Sequence, residues 1–234
     1  MTLGLVVTAG GRGNRLGLDG PKQYLPLLGV PMVQRTIAAL DACDEVDALV
    51  VVVNPEDVSY CTREIVAERF EKVVDVVGGG SERPLSVRNG LDALVAAGPF
   101  ALLGVHDGAR PLVGCGEIEA AKQRLAADQT LDGVIVGIPS IDTIKLVDEA
   151  GVVRETPARS RVWQAQTPQI FRAEVLRRAY AAEEAVLRSA TDDSSLVERL
   201  GGRVALVEGL AENLKVTRPL DVRLAEFILA ERRR

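Results

Sequence analysis

Gly10, Gly11 and Gly13 follow a short apolar run, and Arg12, Arg15 and Lys22 stand among or just beyond them, with Pro21 directly before the lysine. Glycine lacks a Cβ, so its backbone can take positive φ and bring N–H groups close against an anion. A guanidinium grips two phosphate oxygens at once, whereas a lysine ammonium acts as a movable point charge. Together these residues suit a triphosphate. The β-branched run Leu3 to Thr8 that precedes them reads as a strand feeding a phosphate loop.

Two commoner glycine motifs fail on inspection. The dinucleotide fingerprint G-x-G-x-x-G needs a glycine where this chain has Leu16, and its pyrophosphate site rarely carries three cations. The pattern G-x-x-x-x-G-K-[S/T] fails because Lys22 follows Pro21 and precedes Gln23. A plain surface turn is the remaining rival, but such turns seldom collect arginines and a Pro-Lys pair. The stretch Ala9, Gly10, Gly11, Gly13, Arg15, Pro21, Lys22 resembles the A-G-G-x-G-x-R-(few)-P-K signature of nucleotidyltransferases that join a nucleoside triphosphate to a phosphorylated sugar or polyol.

Further candidates lie downstream. Gly78 to Arg83, followed by Ser86, is a second flexible loop after a strand, a candidate for reading the base. A generic turn with a helix cap competes with that reading. The strand Phe100 to Val105 runs into His106-Asp107-Gly108-Ala109-Arg110-Pro111. A carboxylate at a strand end beside a triphosphate suits Mg2+, a hard cation that takes oxygen ligands and keeps several waters, so Asp107 is the metal candidate. A turn-capping aspartate is its rival. His106, the lone histidine, reads as a hydrogen-bonded strand-end residue rather than a base, and Arg110 as a partner for a substrate phosphate. Thr191 to Ser195 reads as a helix N-cap whose hydroxyls and carboxylates could equally hold a polyol.

The elements that must position these residues alternate. Helical spacing after Pro31 (Val33, Ile37, Leu40), the strand Ala48 to Val53, a helix from about Glu56 to Phe70 and a strand Val73 to Val77 set up a β-α-β order. A helix through Leu91 and Leu94, a helix from Glu117 to Ala127 and a strand Gly133 to Ile138 continue it. The pattern then changes. Pro139 to Asp148 and Val152 to Trp163 alternate around Glu149-Ala150-Gly151 as a two-stranded arm, residues 139–163, which is marginal alone and should lie on a partner subunit. Gln164 to Gln169 re-enters the body, and helices Ala173 to Arg188 and Leu220 to Arg234 flank a short strand Arg203 to Val207. The expected fold is α/β: a Rossmann-like, mostly parallel sheet flanked by helices, one domain over residues 1–234 with a protruding β-arm.

Composition narrows the function classes. Hydrophobic residues make up 47% of the 234, enough core for one α/β unit. The formal charge of −5 argues against a nucleic-acid surface, so cations gathered for anionic substrates must be local. Apolar stretches are strand-length, which points to no membrane span and a cytoplasmic protein. Cys43, Cys61 and Cys115 are odd in number and lack metal-ligand spacing, which suggests buried thiols in a reducing compartment. Only Lys22, Lys72, Lys122, Lys145 and Lys215 among the 28 basic residues are lysine, and three of them lie in motifs.

With all segments in view, the chain resembles the 2-C-methyl-D-erythritol 4-phosphate cytidylyltransferases. The blocks that carry the resemblance are A-G-G-R-G-N-R with P-K-Q-Y, G-G-x-x-R-x-x-S, V-H-D-G-A-R-P, D-T-I-K, Q-T-P-Q, T-D-D-S-S and N-L-K-V-T-R-P, in family order over residues 8 to 219. The resemblance implies a GT-A-like nucleotidyltransferase fold and transfer of CMP from CTP to a polyol phosphate with Mg2+. It implies that Arg15 and Lys22 stabilise the transition state, that Ala9, Gly10, Gly11, Gly13, Gly80 and Ser86 bind CTP, and that Arg159 and Lys215 place the substrate phosphate. Asp107, Arg110, Thr143, Thr167 and Thr191 would line the polyol site. Similar enzymes are homodimers with interlocking arms, so Thr143 and Arg159 would serve the neighbour's site. Ser194, where alanine is common, and Gly108 depart from the pattern without touching a role. A ribitol 5-phosphate cytidylyltransferase is the alternative, disfavoured by Thr191-Asp192-Asp193 and Lys145. An idle nucleotide-binding module is another, disfavoured by Arg15, Lys22, Asp107 and Lys215.

Overall fold

The computed structural model describes residues 1–11 and 20–232. Arg12, Gly13 and Arg15 of the phosphate loop lie outside the described residues.

Eleven strands and eight helices follow in chain order among those residues. They begin with β1 (Leu3–Thr8), β2 (Pro26–Leu27), β3 (Val30–Pro31), α1 (Met32–Asp41), β4 (Ala48–Val53), α2 (Val58–Tyr60), β5 (Val73–Gly78), α3 (Arg83–Ala97) and β6 (Leu102–Asp107). Then come α4 (Cys115–Ala127), β7 (Gly133–Pro139), β8 (Leu146–Val147), β9 (Val153–Glu155), β10 (Trp163–Arg172), α5 (Ala173–Tyr180), α6 (Glu184–Arg188), α7 (Asp193–Arg199), β11 (Val204–Glu208) and α8 (Pro219–Glu231).

Seven strands form one sheet in the order β11-β7-β10-β6-β1-β4-β5. All neighbours run parallel except β10, which is antiparallel to both β6 and β7. β4 is apolar at every position and buried throughout, as a strand covered on both faces must be. One core cluster packs α1 and α4 on the sheet through Val33, Ile37, Leu40, Ile118 and Leu125. The opposite face is covered by α3, α5 and α7 through Leu91, Leu94, Leu176 and Val197. Truncating a fully buried leucine such as Leu94 to alanine in a core of this kind costs about 2–5 kcal/mol.

Four expectations are revised. The helix foreseen over Glu56 to Phe70 is a short sequence of 3-10, α and π turns ending at Val66, where Ala67 takes φ 42°. The helix foreseen over Ala173 to Arg188 is two helices, α5 and α6. The segment Gln164 to Gln169, expected only to re-enter the body, is part of the ten-residue strand β10, and its Pro168 is accommodated at a register shift between Ala165 and Gln169. Cys43 and Cys115 are joined by a disulfide between the end of α1 and the start of α4, so only Cys61 is a buried thiol.

Candidate active site

Parallel strands present their carboxyl ends along one edge, and ligands of such sheets bind there. A cleft of about 720 Å3 opens on that edge, walled by the ends of β1, β4, β5 and β6. It gathers Ala9, Gly10, Gly11 and Lys22 from the first loop, Gly80 and Ser86 from the second, and Asp107 and Lys215 from later segments. Register explains part of this convergence: Thr8 pairs with Asp107 on the neighbouring strand, so the start of the phosphate loop lies beside the carboxylate.

The glycines serve close approach rather than unusual φ. Neither Gly10 nor Gly11 lies in the left-handed region of φ. A Cβ on Gly11 would stand 2.8 Å from Cε of Lys22, so the lysine stem lies directly on the loop backbone. A Cβ on Gly80 would stand 2.5 Å from that of Leu85, which presses the second loop onto the start of α3. Ser86 closes that turn, its Oγ accepting from the Gly80 N–H at 3.1 Å.

Asp107 is buried and ringed by cations. Lys215 Nζ lies 2.8 Å from its Oδ2, Arg110 Nε 3.6 Å from the same oxygen, and Arg83 Nη2 3.6 Å from Oδ1. Burial alone would raise its pKa, but Arg83 and Lys215, with help from Arg110, hold the carboxyl well below the usual range. Lys215 is set in place by backbone, because the Val216 N–H donates to the Ala109 carbonyl and the buried Val216 packs with Leu27, Met32 and Leu112. Arg83 is fixed from behind: it donates to both oxygens of Asp193, at 3.1 and 2.8 Å, and the Tyr180 hydroxyl donates to the same carboxylate.

Residues 3–231 match the family model described as 2-C-methyl-D-erythritol 4-phosphate cytidylyltransferase (IspD). The chain belongs to that family. A 2-C-methyl-D-erythritol 4-phosphate cytidylyltransferase of Syntrophotalea carbinolica is 44% identical over 230 residues, covering 98% of this chain and 97% of the relative. One of Geobacter metallireducens is 40% identical, covering 99% of each. Among solved structures, a 4-diphosphocytidyl-2C-methyl-D-erythritol synthase from Anaerococcus prevotii superposes with a TM-score of 0.82 at 27% identity, covering 98% of each chain.

For a cytidylyltransferase of this family, the other residues suggested by the sequence stand apart from the cleft wall. Arg110 is buried below it and donates to the Asn213 carbonyl at 2.7 Å. Thr167 is buried between the Asp107 N–H and His106. Thr191 is exposed, while the neighbouring Asp192 caps α7 by accepting from the Ser195 N–H and also accepts from Gln169. The carboxylates of Asp192 and Asp193 are therefore engaged within the chain. Thr143 and Arg159 are exposed in the segment between β7 and β10, where Arg159 donates to the Ile141 carbonyl at 3.3 Å. Lys145 donates to Thr156 across the small β8–β9 ladder.

Three structural roles escaped the sequence. Arg83 was visible as an arginine after a glycine loop, but its partner Asp193 lies 110 residues away. Asn213 is fully buried and donates to the Thr167 carbonyl at 2.9 Å and to Glu117 at 3.1 Å, which ties N-L-K-V to Q-T-P-Q. Asn54, at the end of β4, lines the cleft and donates to Asp57. An asparagine directly after an apolar strand was the available signal for it.

Proposed function

We propose that the chain transfers CMP from CTP to 2-C-methyl-D-erythritol 4-phosphate, releasing pyrophosphate, in the non-mevalonate route to isoprenoids. The observation that carries this reading is a single cleft with Lys22 and the glycine loop on one side and the Asp107–Lys215 pair on the other. One side suits a triphosphate and the other a phosphorylated polyol.

A phosphate monoester is mostly dianionic at neutral pH, its second pKa being about 6, so the attacking oxygen needs no general base. That oxygen forms a bond to the α-phosphorus as the bond from the α-phosphorus to the bridging oxygen of pyrophosphate breaks. The site must hold two anions in line and offset charge on the α-phosphate, which is positioning plus electrostatics. Lys22, lying on Gly11, is suited to the α-phosphate, and Arg15 is its expected companion. Gly10, Gly80 and Ser86 are suited to the nucleoside, and Lys215 and Arg159 to the polyol phosphate.

No cluster of three or more His, Cys, Asp or Glu residues among the described residues could cage a metal ion. Asp107, the carboxylate the sequence offers for Mg2+, already faces Lys215 at 2.8 Å and Arg110 and Arg83 at 3.6 Å, so its oxygens are answered by cations and do not fit a Mg2+ in this arrangement. A Mg2+ carried by CTP would be held by phosphate oxygens and water and would neutralise part of the triphosphate charge. No helix among the described residues is long and apolar enough to cross a membrane. The reading includes a cytoplasmic homodimer joined through residues 139–163.

The test is pyrophosphate release with Mg2+ and CTP, offering methylerythritol phosphate and ribitol 5-phosphate in parallel. Release with the first substrate alone is expected. Preference for ribitol phosphate would replace the acceptor, and silence with both would overturn the reading.

A further inference from the structure

His106 is the only histidine of the chain and is fully buried, one residue before Asp107 on β6. Both ring nitrogens are engaged. Nε2 lies 3.3 Å from the Arg110 carbonyl oxygen and Nδ1 lies 3.1 Å from Oγ1 of Thr167. A carbonyl oxygen only accepts, so the proton must sit on Nε2. Nδ1 is then bare, and the Thr167 hydroxyl must donate to it. The lone pairs of that hydroxyl remain available, and one accepts from the Asp107 N–H at 3.0 Å. The direction of every hydrogen bond from Asp107 to Arg110 is thereby fixed.

We propose that His106 is a positioning residue for the polyol-phosphate half of the site, acting as an Nε2–H imidazole that aims the Thr167 hydroxyl and holds the Asp107–Arg110 turn at its two ends. The turn itself closes through the Arg110 N–H donating to the Asp107 carbonyl at 2.9 Å. Its two side chains are the carboxylate beside Lys215 and a guanidinium 3.6 Å from that carboxylate. A shift of the turn would move both charges and, through the Val216 N–H bond to the Ala109 carbonyl, would disturb the seat of Lys215 as well. The single proton of Thr167 is committed to His106 and one of its lone pairs to the Asp107 N–H, so the buried hydroxyl acts on the site through the turn.

The inference rests on the cytidylyltransferase reading for its kinetic consequence and not for its geometry, so two measurements separate them. Long-range 1H–15N correlation of the one histidine ring in the ligand-free wild-type protein at pH 7 should show a single Nε2–H tautomer, and Thr167→Val should shift the Nδ1 resonance. An Nδ1–H tautomer, or an Nδ1 resonance indifferent to Thr167→Val, would overturn the relay whether or not any variant is active. In steady-state kinetics, His106→Phe and Thr167→Val should each raise KM for the polyol phosphate tenfold or more while KM for CTP stays within threefold. The double variant should resemble either single one, because both changes break one chain. Multiplying effects, or wild-type KM values in both single variants, would sink the positioning role. Wild-type protein that turns over neither polyol phosphate would instead overturn the proposed reaction and leave the tautomer measurement to judge the relay.

Discussion

Around Asp107 every charge is answered within the chain: Lys215, Arg110 and Arg83 face the carboxylate, and Asp193 with Tyr180 holds Arg83 from behind. Between β7 and β10 the picture reverses. Ile141 is 81% exposed, Leu146, Val147, Val152 and Val153 are about half exposed, and the ladder of β8 with β9 is only a few residues long. A two-stranded ribbon of this size is marginal in water by itself. The first region is organised by its own buried pairs; the second presents Thr143 and Arg159 on a surface that makes physical sense when something covers it. A site assembled from both would be rigid around Asp107 and Lys215 and completed from outside at the exposed segment.

The largest expected effect lies in the organised region. Lys22→Ala should lower turnover by about 10²–10³, the usual consequence of removing one preorganised electrostatic group, while thermal unfolding changes little. Near-normal kcat in a folded variant would strip Lys22 of its role. Next comes pH. Burial pushes the His106 pKa down to about 4, against about 6.5 for a free imidazole. The unfolded chain therefore binds a proton that the folded chain refuses between those values. Stability from this group is intact above pH 6.5 and falls as pH drops toward 4, by up to about 3 kcal/mol. Denaturant titrations across that window should show the slope in wild-type protein and a flatter one in His106→Phe. Equal slopes would mean that the imidazole titrates normally.

The organised region was also the more legible one. β1 and β4 stood out because buried parallel strands are continuous apolar runs, and the glycine-cation stretch after β1 named its own chemistry. Asp107 and Lys215 were each visible as charged residues in a motif, but their 2.8 Å contact depends on a backbone bond from Val216 to Ala109 that no local pattern encodes. β10 was missed because Pro168 breaks the strand signal and the strand is antiparallel among parallel neighbours. The disulfide was missed because Cys43 and Cys115 are 72 residues apart and nothing in the spacing pairs them. Ion pairs such as Arg83–Asp193 are products of topology, legible only once the strand order is known.

Lys215→Ala tests where the two regions meet. It should raise KM for the polyol phosphate roughly tenfold, about 1.4 kcal/mol, and leave KM for CTP near its wild-type value. Equal rises for both substrates would place Lys215 on the shared phosphate path instead.

The smallest effect is the sharpest test of the contrast. Lys22→Ala and Arg159→Ala, each expected to be nearly inactive alone, are mixed in equal amounts, dissociated and reassociated. If Arg159 completes the neighbour's cleft, each mixed dimer has one damaged site carrying both changes and one site carrying neither. Random pairing makes about half of the dimers mixed, so about a quarter of wild-type activity should return. If Arg159 works in its own chain, every site keeps one lesion and the mixture stays as inactive as its parents. Recovery would mean that the exposed segment is half of a site whose other half lies in the second copy. Its absence would mean that the segment must fold back onto its own cleft, and the division between a self-sufficient region and a borrowed one would be wrong.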